Sequence, residues 1–325
     1  MKIKAIRTVV PREAGTYSAF PTAVVYKGNI YLYYRRGRTS SAQVHGLNGI
    51  VKRIKIATKE YLKAHLEPCE EPLVRLGDEK TVFAAGNELD AIVGKLEENL
   101  FSLCTRDCVV GSHNTCFVSF SEEPEFCERQ AVKIPGVELH AFYGKPIKTP
   151  HGYVFTAYGA MERDGEQRPL LLVTDTKHWE WLSHLPSRGG GKRLNECSLA
   201  RHDGKWILFI REDEPPFGIW YSESSDLQRW SPPRKVINSA HAPMALTVEN
   251  TLHLAYRWLI KENLSAVTLR SPWNGDTPLA LERYQGSPYD GGYTDLFKAE
   301  GWLVVIYYLG NPQAEPLIRS SLIET

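Results

Sequence analysis

The sequence predicts an all-β protein: a six-bladed β-propeller of four-stranded antiparallel blades, occupying residues 1–325 as a single domain. Three observations predict it. A turn residue followed by an aromatic or β-branched strand recurs six times, at Gly28 (N-I-Y-L-Y-Y-R), Asn99 (L-F-S-L-C-T-R), Gly152 (Y-V-F-T-A-Y-G), Gly204 (K-W-I-L-F-I-R), Asn250 (T-L-H-L-A-Y-R) and Gly301 (W-L-V-V-I-Y-Y). Successive markers lie 71, 53, 52, 46 and 51 residues apart, close to one four-stranded blade except for the first interval, which must hold an insertion. Helical periodicity is scarce, with Thr58 to His65 the best short candidate.

Each beat has a local reason. Asp203-Gly204, between Asn195–Arg201 and Lys205–Ile210, is a strong short-range hairpin signal. A further strand follows each beat, and three beats then share a tail of hydroxyl, acid, three residues and aromatic: Ser121-Glu122 with Phe126, Thr174-Asp175 with Trp179, Ser225-Asp226 with Trp230. An acid capping turn amides, pinned by an aromatic ring, is a structural device. The last strand, Leu317 to Ile323, is expected to pair with Lys2 to Val9, since ring closure removes the remaining free edges. The glycine-rich Arg188–Lys192 segment reads as a mobile loop over a site mouth.

Composition bounds the function. A content of 42% hydrophobic and 11% aromatic residues supports a large core, and a net charge of +1 with interspersed signs gives no electrostatic footprint for nucleic acid or an anionic membrane. No charged-then-apolar leader and no apolar run near eighteen residues occurs, so a cytoplasmic location is expected. Six cysteines in 325 residues make no disulfide framework. Cys104 and Cys108 with His113 have a vaguely metal-like spacing but no second pair, and they read as core or edge residues; no metal or cofactor is called for. The sequence carries no mark of an oligomeric state.

Chemistry concentrates at one end of the beats. Seven residues after the marker stand Arg35, Arg106, Gly159, Arg211, Arg257 and Tyr308; eight before it stand Phe20, Ala91 with Asp90 adjacent, Gly144, Glu196, Ala242 and Tyr293. In a propeller these two positions share one face. Arginine has no intrinsic preference for a strand end, and guanidiniums converging on one mouth repel one another without an anionic guest. Rim ion pairs with acids of neighbouring blades are the competing account. Arg36 and Asp213 join the candidate binding set. Glu196 and Arg211, at opposite ends of one hairpin, should lie side by side.

These residues resemble the sialidase superfamily of six-bladed propellers. The resemblance implies that Glu196 polarises a tyrosine nucleophile, that Arg211, fifteen residues on, and Arg257 in the following blade grip a substrate carboxylate, and that Tyr293 in the last blade is the nucleophile. Tails such as S-S-D-L-Q-R-W look like degenerate Asp-boxes. Two departures lie in the first blade: Ala19 stands where the family carries an arginine, and the loop after Arg35 contains no acid where the family places its acid/base aspartate. His45, Asp90 and Asp213 are the alternative acid/base candidates, His45 being the group in that loop able to titrate near neutral pH. Independently of the family, a phenol needs an adjacent carboxylate to take its proton and nearby guanidiniums to stabilise the phenolate.

The expected function is therefore a glycosidase acting on an acidic sugar, sialic-acid-like or uronic, with a small-molecule carbohydrate or glycan as its partner. Two alternatives remain open: a five-bladed arabinanase- or fructosidase-type glycosidase working through carboxylates, and a non-catalytic carbohydrate-binding propeller.

Overall fold

A computed structural model describes residues 1–40, 45–108, 114–273, 277–311 and 315–325; His113 and residues 41–44 of the loop after Arg38 lie outside the described residues. Six antiparallel sheets form the blades of a propeller. Blade 1 is Thr16–Tyr26, Asn29–Arg38, Leu47–Ala57 and Asp78–Phe83; blade 2 is Glu88–Glu97, Leu100–Asp107, Thr115–Ser121 and Gln130–Ala131. Blade 3 is Val137–Phe142, Gly152–Met161, Gln167–Thr174 and Trp179–His184, with Ile147–Thr149 also paired to its second strand. Blade 4 is Lys192–His202, Lys205–Glu212, Gly218–Ser224 and Arg234–Asn238, with Arg188–Gly189 added on its inner edge; blade 5 is Ala240–Val248, Thr251–Lys261, Leu264–Arg270 and Leu279–Gln285. Blade 6 takes Thr294–Ala299, Trp302–Leu309 and Leu317–Glu324 from the end of the chain and Lys2–Val10 from its beginning. Lys2 faces Glu324 and Val10 faces Ile318, which closes the ring as the sequence predicts.

The turns follow from their residues. Lys27-Gly28, Asp203-Gly204, Glu249-Asn250 and Glu300-Gly301 are two-residue hairpin turns with both residues at positive φ, the geometry that matches strand twist and that Gly and Asn favour. Because blades stack face to face, a middle strand is covered on both sides and reads as continuous apolar sequence. Along Trp302–Leu309, Val304, Ile306 and Tyr308 enter a core shared with Ile30, Leu32 and Tyr34 of blade 1, while Leu303, Val305 and Tyr307 enter one shared with Ala255 and Val267 of blade 5.

The long first interval is explained by an insertion between the third and fourth strands of blade 1, comprising helices Thr58–Leu66 and Leu73–Leu76. Tyr61, Leu62 and Ala64 join the core between blades 1 and 6. Arg7 donates to the Cys69 and Glu67 carbonyls at 2.6 Å each, and His65 Nε2 meets Ser320 Oγ at 2.7 Å, so the insertion is tied to both strands that close the ring.

Two local expectations are corrected. In the blade 4 tail the hydroxyl partner is Ser224, whose Oγ accepts from Leu227 N at 2.8 Å, and not Ser225; Asp226 Oδ1 accepts from the Gln228 and Arg229 amides at 2.9 Å each. The glycine-rich segment is a hairpin with Gly189 paired to Lys192, lying against the Trp220 ring: a Cβ on Gly190 would stand 3.1 Å from it.

Four of the six inner strands carry the same irregularity near their start, and it matters for the site. Ala19 pairs with Arg35 and Thr22 with Tyr33, so three residue steps oppose two; the same bulge lies between Leu89 and Ile92, Leu194 and Cys197, and His241 and Met244. Phe20, Asp90 and Ala242 within three of these bulges hold φ near +52 to +53°. A bulge turns side chains out of the regular alternation, and here it occurs at the level of the arginines. Farther along the channel, Asp295 accepts from Thr22 Oγ1 at 2.9 Å, Ala23 N at 2.8 Å and Leu296 N at 2.7 Å and pairs with Lys145 at 3.0 Å. Thr22 and Asp295 line a cavity of about 40 Å³ on the arginine side, and Lys145 lines one of about 570 Å³ at the opposite mouth.

Candidate active site

The site is built across blades 4, 5 and 6. Asn195 and Glu196 sit in the blade 4 bulge, and Arg211 lies on the adjacent strand. Arg211 binds Glu196 Oε1 at 2.8 Å, donates to Tyr293 Oη at 3.2 Å and reaches Asp213 Oδ1 at 2.7 Å. Tyr293 Oη donates to Glu196 Oε1 at 2.8 Å. Asp213 is held from its other side by Arg193 at 2.8 Å. Tyr293 is brought here by Gly291-Gly292: a Cβ on Gly292, at φ +69°, would stand 2.6 Å from Tyr284 Oη and 3.0 Å from Arg257 Cβ, so glycine permits the close approach of the last blade to the fifth.

Arg257 lies over the Tyr293 ring, 5.0 Å from its centre, and donates to the Pro288 carbonyl. Among the described residues its Nε and remaining Nη, like Glu196 Oε2 and Arg211 Nε, are buried without a hydrogen-bond partner. A buried guanidinium with unmet N–H groups is costly unless a ligand meets them. The small cavity is lined by Phe20, Asp90, Tyr143, Tyr158, Glu196 and Tyr293 among others. At about 40 Å³ it has room for little more than a water molecule, so a sugar ring enters only as the surrounding side chains yield.

Electrostatics follow from burial. Burial pushes the Tyr293 phenol up, Glu196 adds to that, and Arg211 and Arg257 oppose it. Burial also raises the Asp90 carboxyl, against the pull of Arg106, whose Nε stands 2.6 Å from Asp90 Oδ2. His45 is pushed the other way, to about 3, by burial and then by Arg106, Arg257, Arg35 and Arg211. This corrects the expectation that His45 titrates near neutral pH: beside four guanidiniums it stays neutral.

The other predicted residues divide. Arg106 and Asp90 form a pair in the wall. Arg35, fully buried, donates to the Glu88 carbonyl at 2.7 Å and to Gly46 O and Asn87 Oδ1 at 3.1 Å, anchoring blade 1 to blade 2, and one Nη finds no partner among the described residues. Arg36 does not belong to the site: strand alternation carries it to the opposite side, where it pairs with Glu13.

Sequence reasoning missed Tyr17, Asp290, Tyr143, Tyr158 and His241. Tyr17 Oη donates to Asp290 Oδ1 at 2.6 Å and lies 3.1 Å from His45 Nδ1. His241 Nδ1 lies 2.9 Å from the Pro288 carbonyl, its pKa held well down by burial and by Arg211 and Arg257. Asp290, in D-G-G-Y three residues ahead of Tyr293, carried a signal; Tyr17 and Tyr158, on ordinary strands, and Tyr143, just past the end of one, carried none. Among the described residues no group of three or more His, Cys, Asp or Glu side chains could hold a metal ion.

Compared with known proteins, the chain matches no family model and no curated protein sequence. Solved structures resemble it closely in shape. A Dyadobacter fermentans protein of unknown function superposes with a TM-score of 0.76 at 14% identity, over 99% of this chain and 98% of that one. Trypanosoma rangeli sialidase gives 0.63 at 10% identity over 97% of this chain but 57% of its own length, so this chain spans under three-fifths of that enzyme. Penicillium chrysogenum α-L-arabinanase, complexed with arabinobiose, gives 0.63 at 8% identity over 100% and 99%. Six sheets exclude the five-bladed alternative. The chain has a six-bladed β-propeller fold, the fold of these sialidase and arabinanase structures.

Proposed function

We propose that the protein is a retaining glycoside hydrolase for an acidic sugar, with Tyr293 as nucleophile and Glu196 as its base. The observation that carries this reading is the 2.8 Å contact between Tyr293 Oη and Glu196 Oε1, with Arg211 within 3.2 Å of both. Glu196 takes the phenolic proton as the tyrosine oxygen attacks the anomeric carbon, and the bond from that carbon to the leaving oxygen breaks. Arg211 and Arg257 stabilise the phenolate and bind the substrate's carboxylate through planar N–H pairs. Asp90, whose carboxyl is raised by burial, donates a proton to the leaving oxygen; in the second step it takes one from the water that cleaves the tyrosyl–sugar bond, and Glu196 returns its proton to the released tyrosine oxygen. A neutral phenol suits an anionic sugar because a carboxylate nucleophile would meet the substrate's own charge.

The reading as a carbohydrate-binding propeller without turnover is favoured by one feature, the commitment of Asp90 to Arg106 at 2.6 Å. Fluorogenic aryl glycosides of N-acetylneuraminic acid and glucuronic acid separate the two. Turnover is expected, falling about 100-fold or more in Tyr293→Phe and Glu196→Gln while the free sugar acids still bind. Binding of a sugar acid without turnover by the unaltered protein establishes the binding reading instead.

A further inference from the structure

We propose that His45 is a specificity-determining residue at the arginine-rich mouth of the site, presenting Nε2 as an acceptor for a hydroxyl group of the bound sugar. The inference rests on the acidic-sugar reading above and adds the neutral contact that accompanies the arginines. It follows from counting protons along one chain of groups. Tyr17 Oη lies 2.6 Å from Asp290 Oδ1 and 3.1 Å from His45 Nδ1. A hydroxyl has one proton, and the carboxylate, acceptor-only when ionised, takes it in the shorter contact. The phenolic oxygen is then an acceptor toward His45, which puts the imidazole proton on Nδ1 and leaves a lone pair on Nε2.

The surroundings give that lone pair a use. The imidazole packs edge-on to Phe20 at 5.0 Å and to Tyr17 at 6.1 Å, and it feels the charges of Arg106, Arg257, Arg35 and Arg211 together. No hydrogen bond to Nε2 occurs among the described residues. The guanidiniums are donors throughout, while Glu196 and Asp90 are already drawn to arginines at 2.8 and 2.6 Å. A sugar held through its carboxylate also carries O–H donors, and a neutral nitrogen is the acceptor that does not compete with the substrate for the arginines. A carboxylate in this place would form another internal ion pair and weaken the anion site. His241 offers an internal comparison: a carbonyl oxygen can only accept, so its Nδ1 donates to Pro288 O at 2.9 Å. The contacts thus favour a proton on Nδ1 in both histidines.

The test begins on the unliganded protein labelled with ¹⁵N-histidine. Two-bond ¹H–¹⁵N spectra at pH 7 are expected to show His45 neutral with the proton on Nδ1, and Tyr17→Phe to relax that preference toward a mixture. A proton on Nε2 in the unaltered protein overturns the inference whatever the protein binds. Titration with N-acetylneuraminic acid and glucuronic acid follows. Binding of either should shift the Nε2 resonance, and His45→Phe should weaken it about 5- to 30-fold while His45→Gln, which keeps a neutral acceptor, loses less than about 3-fold. Binding with an unmoved Nε2 signal and unchanged affinity in His45→Phe overturns the inference alone. If neither sugar acid binds, the acidic-sugar reading falls and takes the inference with it.

Discussion

Replacing Arg211 by methionine should be among the most destabilising single changes available at the site, and its cost can be worked from the contacts. The guanidinium is about 5% exposed and satisfies Glu196, about 8% exposed, and Asp213, about 14% exposed. Among the described residues its loss leaves the Glu196 carboxylate with the Tyr293 hydroxyl, while Asp213 keeps Arg193. Breaking a buried pair from one side costs about 3–5 kcal/mol, most of it the charge left behind; the second tie on Asp213 places this case toward the lower end. At about 2.1 cal/mol/K per residue, a chain of this length unfolds with an entropy near 0.7 kcal/mol/K, so the thermal midpoint should fall by roughly 4–7 °C. Adding Glu196→Gln removes the stranded charge and should restore about 1–3 kcal/mol, a coupling read directly from the double-mutant cycle by differential scanning fluorimetry. A single-variant shift below about 1 °C, or strict additivity in the double variant, would refute the assignment of Arg211 as the desolvated partner of Glu196.

Acid should weaken the fold through His65. Burial lowers its pKa to about 4 in the folded state, so the unfolded chain takes up the proton first as pH falls below about 6.5. The stability present above that pH is lost toward pH 4 at up to about 1.4 kcal/mol per unit, and His65→Gln should flatten the midpoint-against-pH curve across that window; an unchanged curve refutes it. Gly49→Ala should cost about 1–3 kcal/mol, because its Cβ would stand 2.3 Å from the Glu88 carbonyl and 2.5 Å from Arg35 Nε, and the backbone contact cannot swing away. A thermal midpoint within 1 °C of the unaltered protein would show that blades 1 and 2 can part there at little cost.

The fold was legible because the propeller repeats its strongest local signal: an aromatic strand behind a tight turn must be a blade's second strand, and both its faces must be apolar once blades stack. Ring closure followed from the free edges that the terminal strands would otherwise leave. The site was legible only along its strands. Glu196 and Arg211 are hairpin neighbours and could be paired by counting, whereas the meeting of Tyr293 with Glu196 depends on two blades facing each other and came from the family resemblance. Arg36 was misplaced because adjacency in sequence puts it on the opposite side of the strand from Arg35. The bulges at Phe20, Asp90 and Ala242 were not legible, since nothing in A-F-P, L-D-A or H-A-P announces a left-handed backbone. The Tyr17–Asp290 bond joins residues 273 positions apart and has no local signature.

The Lys145–Asp295 pair with Thr22 gives the central channel a floor. A propeller open along its axis could let a polymer thread through and be cut at an internal bond; one stoppered by a charged, hydrogen-bonded cluster admits a guest from one side only. In the glycosidase proposed above, a guest that enters past Phe20 would leave by the way it came, so that release of the first product would clear the path by which the next molecule arrives.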